Sequence, residues 1–169
     1  EVERKQMQNI DTALDLCQKT AGYPPEARFK WNREVIWPID IYLRKSPPEK
    51  RQRLIDAIRA GQVGLDALYG NELTGLCRPE ELLRLCDEAQ RLSKRCDVKA
   101  DSAMICDVPG LTWGTVPSLT QAGVKYISLG INFLDGGLTL LAWEDKPFYW
   151  LGPDGRQKLL CWLPYKGYA

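Results

Sequence analysis

Histidine is missing altogether from these 169 residues, which removes the side chain most used as general base and as zinc ligand. Cysteine occurs six times, at 17, 77, 86, 96, 106 and 161, yet never as a Cys-x-x-Cys pair. That spacing argues against a zinc knuckle or a thioredoxin-like site, and free thiols in a reducing, cytoplasmic setting are expected. No apolar run approaches the length of a spanning helix, and Glu1-Val2-Glu3-Arg4-Lys5 does not read as a signal peptide. A charge excess is lacking too. The 23 basic and 22 acidic side chains leave a formal net charge of +1 without a basic stripe or acidic tail. Nucleic acid and membrane surfaces are therefore not the expected partners.

What is present is the composition of a folded domain: 44% hydrophobic and 27% charged residues exclude wholesale disorder. The start has no Met and opens inside a helical pattern, as expected of an internal piece. Val2, Met7, Ile10, Leu14 and Cys17 recur at helical spacing and predict a helix to about Thr20. A short strand is expected over 28–31. Trp37-Pro38 to Leu43 reads as helical or irregular. Ser46-Pro47-Pro48-Glu49 has the form of a capping box, opening a helix that stops at Gly61. A strand over 63–69, one long helix over 79–95 with Leu82, Leu83, Leu85, Cys86, Ala89 and Leu92 inward, and a buried strand over 102–106 follow. A helix over 115–122 and a strand over 126–131 complete the alternation. Residues 1–132 thus read as alternating α/β units around a parallel sheet. Residues 133–169 read as a β-rich segment, with strands over 138–143, 147–151 and 158–163 and a Gly152-Pro153-Asp154-Gly155 hairpin turn. Trp143, Trp150 and Trp162 in this segment are expected to pack.

In parallel α/β folds, ligands meet the loops at the C-terminal ends of the strands. Asp107 stands at such an end, after Ser102-Ala103-Met104-Ile105-Cys106 and before a Pro109-Gly110 turn. A carboxylate there can serve chemistry or simply cap the turn. The run from Met104 to Pro117, continuing to Gln121-Ala122-Gly123-Val124, resembles the nucleophile segment of glycoside hydrolase family 38, the α-mannosidase class. The stretches Arg28 to Trp37 and Ala60 to Leu65 resemble that family's second barrel strand and the strand before its substrate loop. The likeness covers most of residues 1–132 and is greatest for bacterial family 38 N-terminal-like proteins.

The resemblance implies a partial seven-stranded-type β/α barrel. Asp107 would be both nucleophile and zinc ligand of a retaining, carbohydrate-cleaving enzyme. Trp31, Glu34, Trp37, Asn71 and Glu72 would face the mouth as substrate-binding residues. The family's aromatic residue two places after the Asp is Pro109 here, and Leu111-Thr112 stand where it tends to have His. Its other zinc ligands, a His-x-Asp pair and a later His, are absent, so zinc is expected in a complete parent protein and not in this chain alone, which should be inactive. Two alternatives stay open. One is a non-catalytic carbohydrate-binding or scaffold protein with a degenerate site. The other is a polysaccharide-deacetylase-like metal enzyme.

Overall fold

The computed structural model describes residues 1–108, 110–130 and 146–164. The strand expected over 138–143, and Trp143 with it, lie outside them. Helix α1 (Val2–Lys19) forms along its apolar stripe and buries Ile10, Ala13, Leu14 and Cys17. Helices α2 (Trp37–Lys45) and α3 (Pro48–Arg59) each carry proline in the first turn, where its missing N–H breaks no intrahelical bond. The capping box expected from Ser46 is not made. Pro47 stands at the cap, so Glu49 falls one place short of the position that could reach back. A reciprocal bond forms instead at α4 (Pro79–Arg84), where the Arg78 N–H donates to the Glu81 carboxylate at 2.7 Å.

The single helix expected over 79–95 is two, α4 and α5 (Asp87–Cys96). The Leu85 carbonyl accepts from Tyr69 N–H at 2.9 Å, and a new helical ladder starts with Gln90 N–H on the Cys86 carbonyl. The break leaves Leu83, expected inward, 40% exposed. Strands β1 (Trp31–Asn32) and β2 (Val63–Gly64) pair in parallel. At Gly64 a Cβ would run into the Asn32 side chain, which lies close over the glycine here and would have to move aside.

The larger sheet comprises β3 (Ser102–Cys106), β4 (Tyr126–Gly130), β5 (Phe148–Leu151) and β6 (Lys158–Trp162), in the order β3-β4-β6-β5. Helix α6 (Thr115–Gln121) makes the crossover from β3 to β4 and ends at Gly123, whose φ of +86° suits glycine. The hairpin of β5 and β6 does not stand apart. β6 pairs in parallel with β4, Ile127 opposite Cys161, so the late β segment extends the main sheet. Trp150 is half-buried against this core, whereas Trp162 is 46% exposed and does not pack as expected.

One apolar cluster joins α1, α2, α3 and α5 to Val63 and Leu65; a second joins Ala103, Ile105, Ile127, Leu159 and Cys161 to Val116 and Leu119 of α6. Each fully buried Leu or Ile contributes roughly 1.5–3 kcal/mol. All six cysteines are free thiols.

Between the clusters the chain changes its way of bonding. Beyond Gly64 the expected strand does not continue as a ladder. Ala67 N–H donates to the Ser102 carbonyl at 2.9 Å. The Asp66 carboxylate then accepts from Leu68 N–H and, with its other oxygen, from Met104 N–H, both at 2.7 Å. One side chain replaces a rung of sheet and ties β2 to β3.

Burial pushes the Asp66 carboxyl from the usual 3.8 up to about 7. The two backbone donors pull it down, and the nearby Glu34 carboxylate raises it. A carboxyl whose folded value is raised holds a proton that the unfolded chain has released. Its contribution is therefore fully present below about pH 4 and is lost as pH rises through about 7. Glu3, Asp11 and Glu81 are shifted the other way, so their contributions fade only toward acid. Denaturant unfolding should show stability falling between pH 5 and 8 by on the order of 3 kcal/mol. Asp66→Asn should flatten that slope. Wild-type stability that does not change across this window would contradict the account.

Candidate functional site

The loops after β1, β2 and β3 gather at the C-terminal ends of the strands, and Asp107 sits at the end of β3. Its side chain is exposed, its φ is +60°, and its N–H donates to the Gly130 carbonyl of β4 at 3.0 Å. Aspartate tolerates the left-handed region better than most residues, which lets the strand turn sharply here.

On the opposite edge of β3, Glu34 reaches across 72 residues of sequence to accept from Cys106 N–H at 3.0 Å. The same oxygen accepts from the Asn71 amide at 2.5 Å, and that amide also donates to the Cys106 carbonyl at 3.3 Å. Cys106 is thus gripped at both of its backbone groups. Burial first, and then the adjacent Glu34 carboxylate, push its thiol up to about 11, so it stays protonated. The residue after Glu34 is also unusual. Val35 is β-branched yet has a φ of +57°, a conformation that costs about 1 kcal/mol or more and persists only when the surroundings dictate it. Those surroundings are visible: Ile36 N–H donates to the Leu68 carbonyl at 2.8 Å and Trp37 N–H to that of Tyr69 at 3.1 Å.

The structure therefore brings Glu34 and Asn71 together with the end of β3. Glu72 is solvent-exposed and lines, with Asn71, Leu73, Leu76 and Cys77, an open hollow of about 560 Å³. Trp37 heads α2 and is half-buried. Trp31 packs on the helical core cluster, with the Arg33 guanidinium 5.9 Å over its ring, and is not part of the group at Asp107.

Sequence reasoning missed the residues that tie the mouth together. Buried Thr74 accepts from Thr112 N–H at 2.8 Å, joining the loop after β2 to the loop after β3. Trp113, 57% exposed, donates its indole N–H to the Leu151 carbonyl at 2.6 Å and presents an aromatic face beside this loop. A Thr pair 38 residues apart leaves no local signal. Trp113 lay inside the motif that was quoted, but nothing in the spacing marked it as exposed.

A zinc site does not assemble from these groups. Among the described residues no three His, Cys, Asp or Glu side chains stand where they could share a metal ion, and the facing oxygen of Glu34 already carries two donors. Structural and catalytic zinc sites need at least three protein ligands. Asp107 is one.

Helices flanking a mostly parallel sheet, with a carboxylate at a strand end, define an α/β fold of the kind that binds ligands at its strand ends. No protein-family model matches the chain, and no curated protein matches it by sequence. Solved structures do. An α-mannosidase from Enterococcus faecalis V583 superposes with a TM-score of 0.76 at 18% identity, over 98% of this chain and 18% of that one. A glycosyl hydrolase family 38 protein from Enterococcus faecalis gives 0.69 at 19% identity, over 96% and 17%. A 4-α-glucanotransferase from Thermococcus litoralis gives 0.63 at 16%, over 90% and 23%. Over nearly its whole length the chain has the fold of an internal stretch of the family 38 glycoside hydrolases, and it spans less than a quarter of each neighbour.

The metal reading is testable on the 169-residue polypeptide itself. Reduced protein titrated calorimetrically with zinc should show only the weak binding of a lone carboxylate or stray thiols. Stoichiometric zinc that survives dialysis and disappears on Asp107→Ala would overturn it.

Proposed function

We propose that this chain is the part of a retaining glycoside hydrolase that carries the nucleophile, and that the nucleophile is Asp107. The reading rests above all on one observation: an exposed carboxylate at the end of parallel strand β3, its backbone N–H held by β4, in a fold shared with an α-mannosidase. The segments correspond to consecutive units of a β/α barrel that the rest of a longer polypeptide would complete. The α-mannosidase and the 4-α-glucanotransferase are both named for α-linked sugars, so the substrate class is an α-glycoside. Six free thiols suit a reducing, cytoplasmic setting.

In this mechanism an Asp107 oxygen attacks the anomeric carbon. The C–O bond to the aglycone breaks, and the departing oxygen takes a proton from a general acid elsewhere in the enzyme. Water then gives a proton to the now deprotonated general acid and attacks the same carbon, which breaks the bond to Asp107, releases the sugar and restores both carboxyl groups to their starting states. Exposed Glu72, next to Asn71, would offer its carboxylate to sugar hydroxyls. The isolated chain is not expected to turn over, because among the described residues no metal site assembles and the general acid is expected elsewhere in the enzyme.

The test uses the complete natural polypeptide containing these residues. Asp107→Asn keeps the shape and the tolerance for positive φ but removes the attacking charge. Activity on an activated aryl α-mannoside should fall by at least about a thousandfold, roughly 4 kcal/mol of transition-state stabilisation. Thermal stability should change little, since the side chain is exposed. Full activity in this variant would refute the assignment. Sugar binding without any hydrolysis by the wild type would favour a non-catalytic carbohydrate-binding protein instead.

A further inference from the structure

The outer edge of β3 is bonded by carboxylates where a neighbouring strand would normally stand. Met104 N–H is taken by Asp66 and, one pleat further on, Cys106 N–H by Glu34. Asp66 ties sheet to sheet. Glu34 does something different, because its bond lies one residue before Asp107. On the other edge, Asp107 N–H is held by Gly130 of β4. The peptide units on the two sides of the Cys106 α-carbon are thereby fixed from opposite edges of the strand. Asn71 adds a third hold through the Cys106 carbonyl. Both ends of this arrangement adopt the left-handed region at non-glycine residues, Val35 after Glu34 and Asp107 after Cys106.

We propose that Glu34 and Asn71 are positioning residues: a clamp on the Cys106 peptide that sets the direction in which the Asp107 carboxylate leaves the sheet. This deepens, and rests on, the reading of Asp107 as nucleophile. Glu34 is half-buried, and the oxygen facing β3 is engaged by two donors at 2.5 and 3.0 Å, so that oxygen is committed to the protein. The amide nitrogen of Asn71 is likewise divided between Glu34 and Cys106. Strain at Val35 is explicable on this basis. The chain must turn left-handed after Glu34 to send its side chain to β3 while Ile36 and Trp37 return to the Leu68 and Tyr69 carbonyls. Without the clamp, the peptide before Asp107 loses its outer-edge partners and the carboxylate swings through a range of directions. A misplacement of about an ångström at a reacting group costs roughly a hundredfold in rate.

A clamp needs an acceptor oxygen, not a charge, and this separates it from a substrate contact. In the complete polypeptide, Glu34→Gln retains the acceptor and Glu34→Ala removes it. Hydrogen exchange of the Cys106 amide reads the clamp without reference to activity, and the Met104 amide, bonded to Asp66, serves as internal control. In Glu34→Ala the Cys106 amide should exchange at least about tenfold faster while Met104 stays within about twofold of the wild type. On an aryl α-mannoside, kcat should fall by about ten- to a hundredfold with KM nearly unchanged. Glu34→Gln should restore both readouts to within about threefold. Asn71→Asp, which sets a second carboxylate against Glu34, should reproduce the Ala phenotype. Unchanged protection of Cys106 in Glu34→Ala overturns the clamp. So does Glu34→Gln as impaired as Glu34→Ala with a raised KM, since that pattern belongs to a charged substrate contact. If the wild type cleaves no α-glycoside, the nucleophile reading fails by itself, and the exchange data still decide whether the clamp exists.

Discussion

The outer edge of β3 is the constraint on which the rest depends. A strand with chain packed along both edges must satisfy N–H groups on both sides, and an orphaned one costs as much as a lost hydrogen bond. On one side β4 does this along five paired residues. On the other, β2 is only two residues long and ends before it reaches β3. The edge is closed instead by one backbone bond from Ala67 and by two carboxylates, Asp66 and Glu34. Everything at the mouth follows from that substitution. A ladder would have carried β2 straight past β3, whereas side-chain acceptors let the chain leave at Leu68, supply carbonyls to Ile36 and Trp37, and enter the loop that places Asn71.

The substitution also has a cost that the molecule distributes. Carboxylates held in the interior lose hydration, and Asp66 meets this by favouring its protonated form. Val35 and Asp107 carry backbone strain of order 1 kcal/mol each. Against this stand two apolar clusters, each with many buried aliphatic side chains. Strain concentrated at a strand end and supported by a well-packed layer is the arrangement expected where geometry matters more than local stability.

Much of this architecture was legible in the sequence, and the parts that were not share one physical reason. The stripe of Ile10, Leu14 and Cys17 predicts α1 and the apolar run after Ser102 predicts β3, because both signals are local, although β3 alternates in burial instead of being buried on both faces. Asp107 was legible as a strand-end carboxylate. The break between α4 and α5 was not, because it is made by Tyr69, a residue from another element that takes the Leu85 carbonyl. The parallel pairing of β6 with β4 was equally hidden, since a hairpin turn signals only its antiparallel partner. Glu34 and Asn71 could be placed near the mouth from the order of elements, but their hydrogen bonds to Cys106 span 72 and 35 residues. No window of sequence contains such a contact.

Three carboxylates on adjoining loops therefore have three distinct environments. Asp66 is buried and bonded to two backbone donors, Glu34 is half-buried and shared between a backbone and an amide donor, and Asp107 is open to solvent. Divergent environments are how one set of identical groups is assigned different tasks. Asp66 with both oxygens and Glu34 with one complete the hydrogen bonding of the chain. The third, among the described residues, has only its backbone tied down, and its side chain is open to solvent. Fixing the main chain while leaving the carboxylate unengaged is the physical requirement for a nucleophile that must meet an incoming carbon without first breaking a bond of its own.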